Sequence, residues 1–366
     1  MSRPSRARAP RRVRGASVVG RRLELDVGPV AHGGFCVARH EGRAVFVRHA
    51  LPGERVVATV TEGGADDRFW RADAVEVLTA SPHRVTPPCP YAGPDACGGC
   101  DLQHVAVPHQ RELKAAVVAE QLRRLAGLDV AVVVEPVPGD TPAGSGLHWR
   151  TRQRYARTPD GGRAMRKHRS HDLVPVEECL LEAPAPAPHS LHGVEFEVAA
   201  DGFWQVHPGA PEALVAAVLD GLAPRPGESA LDLFAGVGLF ARFLADAGCT
   251  PVVMVEGDRT ASAHSERNVP GATAHAGDVA TVLARMPADP VDLVVLDPPR
   301  EGAKRQVVEA VVARRPRAVA HVACDPAALA RDVALFAVHG YRMTSLRAFD
   351  LFPMTHHLEC VAILAT

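Results

Sequence analysis

The run HVACDPAALARD (321–332) carries one thiol, Cys324, from an apolar stretch to the point where Asp325-Pro326 breaks it. A cysteine needed only for packing would sit inside the strand, whereas one at the strand's end can face a substrate. As a thiolate it could add to an electron-poor carbon. An earlier apolar run, VDLVVLDPPREG, ends in the same way at Asp297 and Pro298-Pro299-Arg300. FDLFPMTHHLEC then brings Glu359 to the entry of a last apolar run. A thiol, two carboxylates and an arginine thus fall where open α/β sheets bind ligands, beyond the ends of strands.

A second constellation precedes these. LDLFAGVGLFA (231–241) runs from a strand through a glycine turn into a helix. Gly236 and Gly238 allow a ligand close to the backbone and to the helix N-terminus. Glu256, twenty residues beyond Gly236, closes the next strand in VVMVEGD. A carboxylate there can accept both hydroxyls of a ribose. Asp278, in HAGDV, follows a third strand-like segment and could meet an adenine amino group; otherwise it is a solvated loop carboxylate. Ala241 lets the run pass G-x-G-x-x-[GA], so spacing points to a nucleoside cofactor and leaves NAD open.

Of eight cysteines, three fall in CPYAGPDACGGC as C-x7-C-x2-C (Cys89, Cys97, Cys100). In a reducing compartment such a cluster reads as metal ligation, and Gly98-Gly99 would let the chain fold tightly around one centre. Cys179, in VPVEECLLE, is the candidate fourth ligand. Four thiolates suit an iron–sulfur cluster or a structural zinc, and spacing does not choose between them. Cys36, Cys249 and Cys360 read as small core residues.

The elements that must position these groups follow from pattern. A chain of 366 residues exceeds one core, so two or three domains are expected. Residues 1–16 read as a basic disordered tail. Residues 17–80 hold five short β-rich runs separated by glycine and proline, the spacing of a small barrel. Residues 81–200 are irregular around one helix, expected from about Pro108 to Gly127, and EAPAPAPHS reads as a linker or extended crossing. From 201 to 366 buried strands of parallel type alternate with helices, which predicts a doubly wound α/β domain. No apolar run spans a membrane, and no apolar segment follows the N-terminal arginines, so a cytoplasmic protein is expected. Residues 150–171 carry eight Arg or Lys against one Asp and could face a phosphate backbone.

At these residues the chain resembles the S-adenosylmethionine-dependent RNA 5-methyluridine methyltransferases, in particular the iron–sulfur branch with an N-terminal TRAM domain. The likeness covers nearly all of residues 17–366. It rests on the barrel, CGGCDLQH with Cys89 and Cys179, GFWQVHPG, LDLFAGVG, VEGD, LDPPREG, VACDPAALARD and FPMTHHLE. It implies a Rossmann-like class I methyltransferase domain, a TRAM (OB-like) barrel and a small central iron–sulfur domain. By position, Gln205, Phe234, Gly236, Glu256, Asp278 and Asp297 match the cofactor pocket, Cys324 the nucleophile and Glu359 the general base. The quartet would hold a [4Fe–4S] cluster, with zinc as the lesser choice.

The reaction so implied is methyl transfer to uracil C5 through a covalent Cys324–C6 adduct, after which Glu359 removes the C5 proton. It calls for a lowered Cys324 pKa and a splayed-out RNA base. Ribosomal RNA (23S) stands ahead of transfer RNA as substrate, and a monomer without a membrane partner is expected. Against the family pattern, Ala323 and Asp325 flank the thiol, and a carboxylate there would oppose thiolate formation. Leu239 occupies a position where a polar cofactor contact is common. The competing readings are a noncatalytic RNA-binding protein on the same scaffold and an NAD-dependent dehydrogenase.

Overall fold

Alternating polar and apolar side chains over residues 17–80 require a sheet with one dry face. In the computed structural model, which describes residues 14–186 and 188–366, that sheet closes on itself. Its strands are β1 (Arg22–Ala31), β2 (Phe35–His40), β3 (Arg43–Arg48), β4 (Arg55–Glu62) and β5 (Phe69–Thr79), in the order β1-β2-β3-β5-β4. Leu23, Leu25, Val45, Val56 and Trp70 fill the interior. Closure leaves no free sheet edge. Residues 1–13 of the expected basic tail lie outside the described residues.

Helix α1 (Val107–Gln121) starts with Pro108 in its first turn, runs on into one π turn (Leu122–Ala126) and stops at Gly127, whose φ of 68° a left-handed cap requires. Beyond it lie β6 (Val134–Pro136), a three-stranded sheet of β7 (Ala156–Arg157), β8 (Arg163–Arg166) and β9 (Leu173–Pro175), and a hairpin of β10 (Ser190–Leu191) and β11 (Val194–Glu195). Two of these central elements are built into the α/β layer. Val118, Leu122 and Val134 belong to one of its cores, and β6 pairs in parallel with the strand Arg342–Asp350, held there by Glu135 accepting from Arg347 Nε and Nη2 at 3.0 and 2.8 Å.

That layer begins with α2 (Ala210–Leu222) and continues β12 (Ala230–Leu233), α3 (Leu239–Asp246), β13 (Val252–Glu256), α4 (Arg259–Asn268), β14 (Thr273–Ala276), α5 (Val279–Arg285), β15 (Leu293–Leu296), α6 (Lys304–Ala313), β16 (Ala318–Ala323), α7 (Pro326–Val338), β17 (Arg342–Asp350) and β18 (Glu359–Ala365). Strand order is β14-β13-β12-β15-β16-β18-β17-β6. Apolar cores cover both faces. Strands β12 to β16 are parallel, as expected, and the order reverses between β12 and β15. That switch point opens a crevice at the strands' carboxyl ends.

The last strand corrects the sequence reading. ECVAILAT reads as a parallel strand because both of its faces are apolar, yet β18 runs antiparallel to β16 and to β17. Apolarity reports burial and carries no direction. The consequence is functional, because reversal brings the first residue of β18, rather than its last, to the edge where β16 ends. Among the described residues no helix is long and apolar enough to cross a membrane.

Candidate active site

β16 ends at Ala323, which pairs with Cys360 of β18. One step further out stand Cys324 and Glu359, neighbours across the antiparallel pair. Asp297 leaves the adjoining strand β15, its N–H donating to Leu233 O at 3.2 Å. Arg300, in the turn that follows, approaches His357 with Nη2 and Nε2 at 3.3 Å. Four groups quoted from three separate stretches of sequence therefore meet at one sheet edge.

Their electrostatics are those of a buried acidic site. Burial, with the Glu256 charge behind it, lifts the Asp297 carboxyl to about 7. Burial and then Asp297 hold Glu359 well above the ordinary carboxylate range, while Arg300 pulls it back. The Cys324 thiol is pushed up to about 12 by burial, Glu359, Asp297 and Asp325, with Arg300 opposing. This corrects the expectation of a lowered thiol pKa. The strand end that carries the sulfur also surrounds it with carboxylates, which Arg300 offsets in part.

Two buried devices hold these segments, and the sequence reading missed both. On β16, His321 Nε2 lies 3.0 Å from Asp332 Oδ2 of α7. Asp332 also accepts from Ala303 N at 2.7 Å and Lys304 N at 3.2 Å, which fixes the turn carrying Arg300. The loop 351–358 that leads into Glu359 is strapped to the centre of the chain. Lys114 Nζ donates to Asp350 Oδ1 (2.5 Å) and Phe352 O (3.0 Å). Gln110 Oε1 accepts from Met354 N (2.8 Å). Asp101 N and Leu102 N both donate to Met354 O at 3.0 Å, and Asp101 Oδ2 lies 2.6 Å from His356 Nδ1. The only sequence signal for such straps was polar residues inside apolar runs.

The nucleoside side of the edge lies across β12, β13 and β14. Gly236 has a φ of 56° and open space where a Cβ would stand, so a ligand can approach its backbone. Its N–H donates to Glu256 Oε2 at 2.8 Å, and Glu256 Oε1 accepts from Asp258 N at 2.7 Å. Gly238 has a packing requirement as well. A Cβ there would come within 2.8 Å of Val269 Cγ2, so the glycine lets α3 pack closely on α4. Phe234 holds a φ of 64° at the strand end, a strained conformation of the kind found at ligand sites. Asp278 is exposed and caps α5, its Oδ1 accepting from Thr281 N at 2.9 Å and from Thr281 Oγ1 at 2.8 Å. Gln205 is half-buried, and among the described residues no hydrogen bond ties its side chain to this group. Asp232, missed in sequence, is wholly buried in β12. Its Oδ2 accepts from Ala241 N at 3.0 Å, its Oδ1 has no partner, and burial raises the carboxyl to about 8.

The four central cysteines also come together. Cys89, Cys97, Cys100 and Cys179 line one pocket beside Gln103 and Arg150. Gly98 is required there, since a Cβ would stand 2.4 Å from His168 N. Gly99 N and Gln103 Nε2 point at the Cys97 and Cys100 sulfurs at 3.4 and 3.3 Å. Among the described residues no three His, Cys, Asp or Glu side chains take up ligating geometry for a metal ion, so the thiols share the pocket without converging on a point. Cys36, Cys249 and Cys360 are buried core residues.

Known proteins match this arrangement from end to end. Residues 16–74 match the TRAM domain and residues 287–366 the family described as tRNA (Uracil-5-)-methyltransferase. An uncharacterized RNA methyltransferase of Streptomyces avermitilis is 44% identical over 94% of this chain and 98% of its own length. The 23S rRNA (uracil(1939)-C(5))-methyltransferase RlmD of Shewanella sp. (strain MR-4) is 31% identical over 93% of this chain and 94% of its own. This chain belongs to the S-adenosylmethionine-dependent RNA uracil-5 methyltransferases. Its fold is that of the Pyrococcus abyssi tRNA (uracil-54, C5)-methyltransferase solved with S-adenosyl-L-homocysteine, with a TM-score of 0.71, 20% identity, and 94% of this chain and 100% of that one covered.

Within this uracil-5 methyltransferase the two flagged departures have defined places. Leu239 is buried in the core under the glycine turn. Asp325 caps α7, its Oδ1 accepting from Ala328 N at 2.8 Å, and its Oδ2 lies 3.0 Å from His32 Nε2 of the barrel.

Proposed function

We propose that this enzyme methylates C5 of a uridine in RNA, ribosomal RNA of the 23S class, through a transient bond between Cys324 Sγ and uracil C6. The observation that carries the reading is the meeting of Cys324, at the end of β16, with the buried Glu359 that opens the reversed strand β18. Uracil C5 is a weak nucleophile. When the thiolate adds to C6, the C5=C6 electron pair passes into an enolate and C5 becomes electron-rich. S-adenosylmethionine, when bound, supplies the electrophilic methyl group that C5 takes. Glu359 then accepts the C5 proton, the released pair re-forms C5=C6, and the thiolate leaves. Asp297 and Arg300 set the charge state in which Glu359 and Cys324 begin.

The residues that would hold the cofactor are Gln205, Phe234, Gly236, Glu256, Asp278 and Asp297. The open approach over Gly236 and the row of carboxylates on β13 to β15 support that set. Ribosomal RNA is favoured by the full-length likeness to the Shewanella relative, and transfer RNA is the alternative. The same reading gives Cys89, Cys97, Cys100 and Cys179 a [4Fe–4S] cluster. Its support is four thiols in one pocket with two N–H donors aimed at sulfur, and its role there is a cross-link between residues far apart in the chain.

Incubation with 5-fluorouridine RNA and S-adenosylmethionine tests the chemistry, because fluorine at C5 cannot leave as a proton. The wild type should be trapped as a covalent adduct at Cys324 and Cys324→Ala should not; an adduct in Cys324→Ala would overturn the reading. Glu359→Gln should accumulate adduct on ordinary uridine RNA. Mapping of 5-methyluridine in 23S and transfer RNA, with and without the protein, decides the substrate. Iron and acid-labile sulfide in anaerobically purified protein decide the cluster, and zinc in their place would overturn it.

A further inference from the structure

One turn of the barrel reaches the active site. His32-Gly33-Gly34 joins β1 to β2, and His32 Nε2 stands 3.0 Å from Asp325 Oδ2. Asp325 directly follows the nucleophile, and its other oxygen accepts the Ala328 N–H at 2.8 Å. The carboxylate is therefore divided between the helix cap and the barrel. At the same turn a Cβ on Gly34 would stand 3.0 Å from Asp101 Cβ and 3.1 Å from His356 Cβ. His356 belongs to the loop that delivers Glu359. One barrel turn thus touches both the nucleophile's segment and the base's.

The charge of Asp325 matters to its neighbour. It is among the groups that push the Cys324 thiol up, after burial, Glu359 and Asp297, with Arg300 acting the other way. Burial also works against the ionised Asp325, but hydrogen bonds from His32 and Ala328, with Arg331 nearby, outweigh it. Asp325 is thus held as a carboxylate, and what faces its charge decides how strongly the thiolate feels it.

We propose that His32 is a positioning residue for the nucleophile: its contact from the barrel engages the Asp325 carboxylate, so that this charge opposes the Cys324 thiolate less than it would alone. The inference deepens the covalent reading above and rests on Cys324 as the nucleophile. It makes the barrel more than a grip on RNA, since loss of its contact at His32 slows the chemistry of a sulfur on another domain.

The test uses the full-length protein and two readouts. The first is alkylation of Cys324 by iodoacetamide as a function of pH, followed on the Cys324 peptide by mass spectrometry, with no RNA present. The second is the rate of adduct formation with 5-fluorouridine RNA. His32→Ala should slow both by about tenfold near neutral pH. Adding Asp325→Asn should restore both, because asparagine keeps the helix cap and removes the charge. Alkylation unchanged in His32→Ala overturns the proposal. So does a double variant as slow as the single one, since a displaced barrel would not be rescued by neutralising Asp325. A wild type that forms no RNA adduct overturns the covalent reading alone, because alkylation is read without RNA.

Discussion

Cys324 starts at a disadvantage, and the groups responsible define how its rate must depend on pH. The neighbouring acids Glu359 and Asp297 are themselves raised by burial and by each other's surroundings, Asp297 to about 7. The thiol, pushed up to about 12, is mostly neutral near neutrality, and the raised carboxyls favour their protonated forms. In the proposed mechanism a rise in pH frees Glu359 to act as the base and increases the thiolate fraction, so both effects have the same sign. The rate of adduct formation should climb through the neutral range and keep climbing on the alkaline side. Arg300 favours the charged form of both groups. Arg300→Met should therefore shift this profile to higher pH and cost about tenfold near neutrality, with Arg300→Lys recovering part of the loss. Rapid-quench trapping over a pH series would show it, and an unshifted profile in Arg300→Met would remove the arginine from the site.

At the scale of elements, the loop 351–358 decides where Glu359 stands, and α1 decides where that loop stands. Lys114 and Asp350 are both buried, and among the described residues neither has another charged partner at bonding distance. Lys114→Met would leave Asp350 as a buried charge without its partner, a loss of about 3–5 kcal/mol of stability. Lys114→Met/Asp350→Leu should regain much of it, while methyl transfer stays low because the Phe352 carbonyl is no longer held. Chemical denaturation beside a turnover assay separates the two effects. None of this strap could be read from the chain, because its halves are 236 residues apart. What could be read was whatever repeats locally: the five barrel strands, α1 with its glycine stop, and the apolar strands that end at Asp297 and Cys324. β17, RMTSLRAFD, was not legible because its exposed first half is polar. β6 was not, because three residues carry no period. The direction of β18 was hidden by apolarity on both faces. Glu359 could be named as base only through family likeness, since nothing local in LEC sets it apart.

Over the whole molecule, buried ionisable groups of two kinds pull stability in opposite directions with pH. His104, His168 and His207 are lowered to about 4, and His49 and His357 to about 3, by burial first of all. Their unfolded value is 6.5, so the unfolded chain binds more protons below that point and acid destabilises the fold through them. Asp232 and Asp297 are shifted the other way, to about 8 and about 7 from 3.8. A raised folded pKa means that the native state holds the proton more tightly. The stability this confers is complete below 3.8 and is lost as pH rises through about 7 to 8. Above 6.5 the histidines are neutral in both states and contribute no further slope, so the carboxyls act alone. Stability should therefore peak slightly on the acid side of neutrality and fall toward pH 8, with Asp232 accounting for about 2 kcal/mol of the fall. Asp232→Asn removes that charge without touching Cys324 or Glu359. It should flatten the alkaline decline while leaving iodoacetamide labelling of Cys324 unchanged. Urea midpoints measured at half-unit steps of pH provide the check, and a variant that declines as steeply as the wild type would show that Asp232 is already ionised in the folded protein.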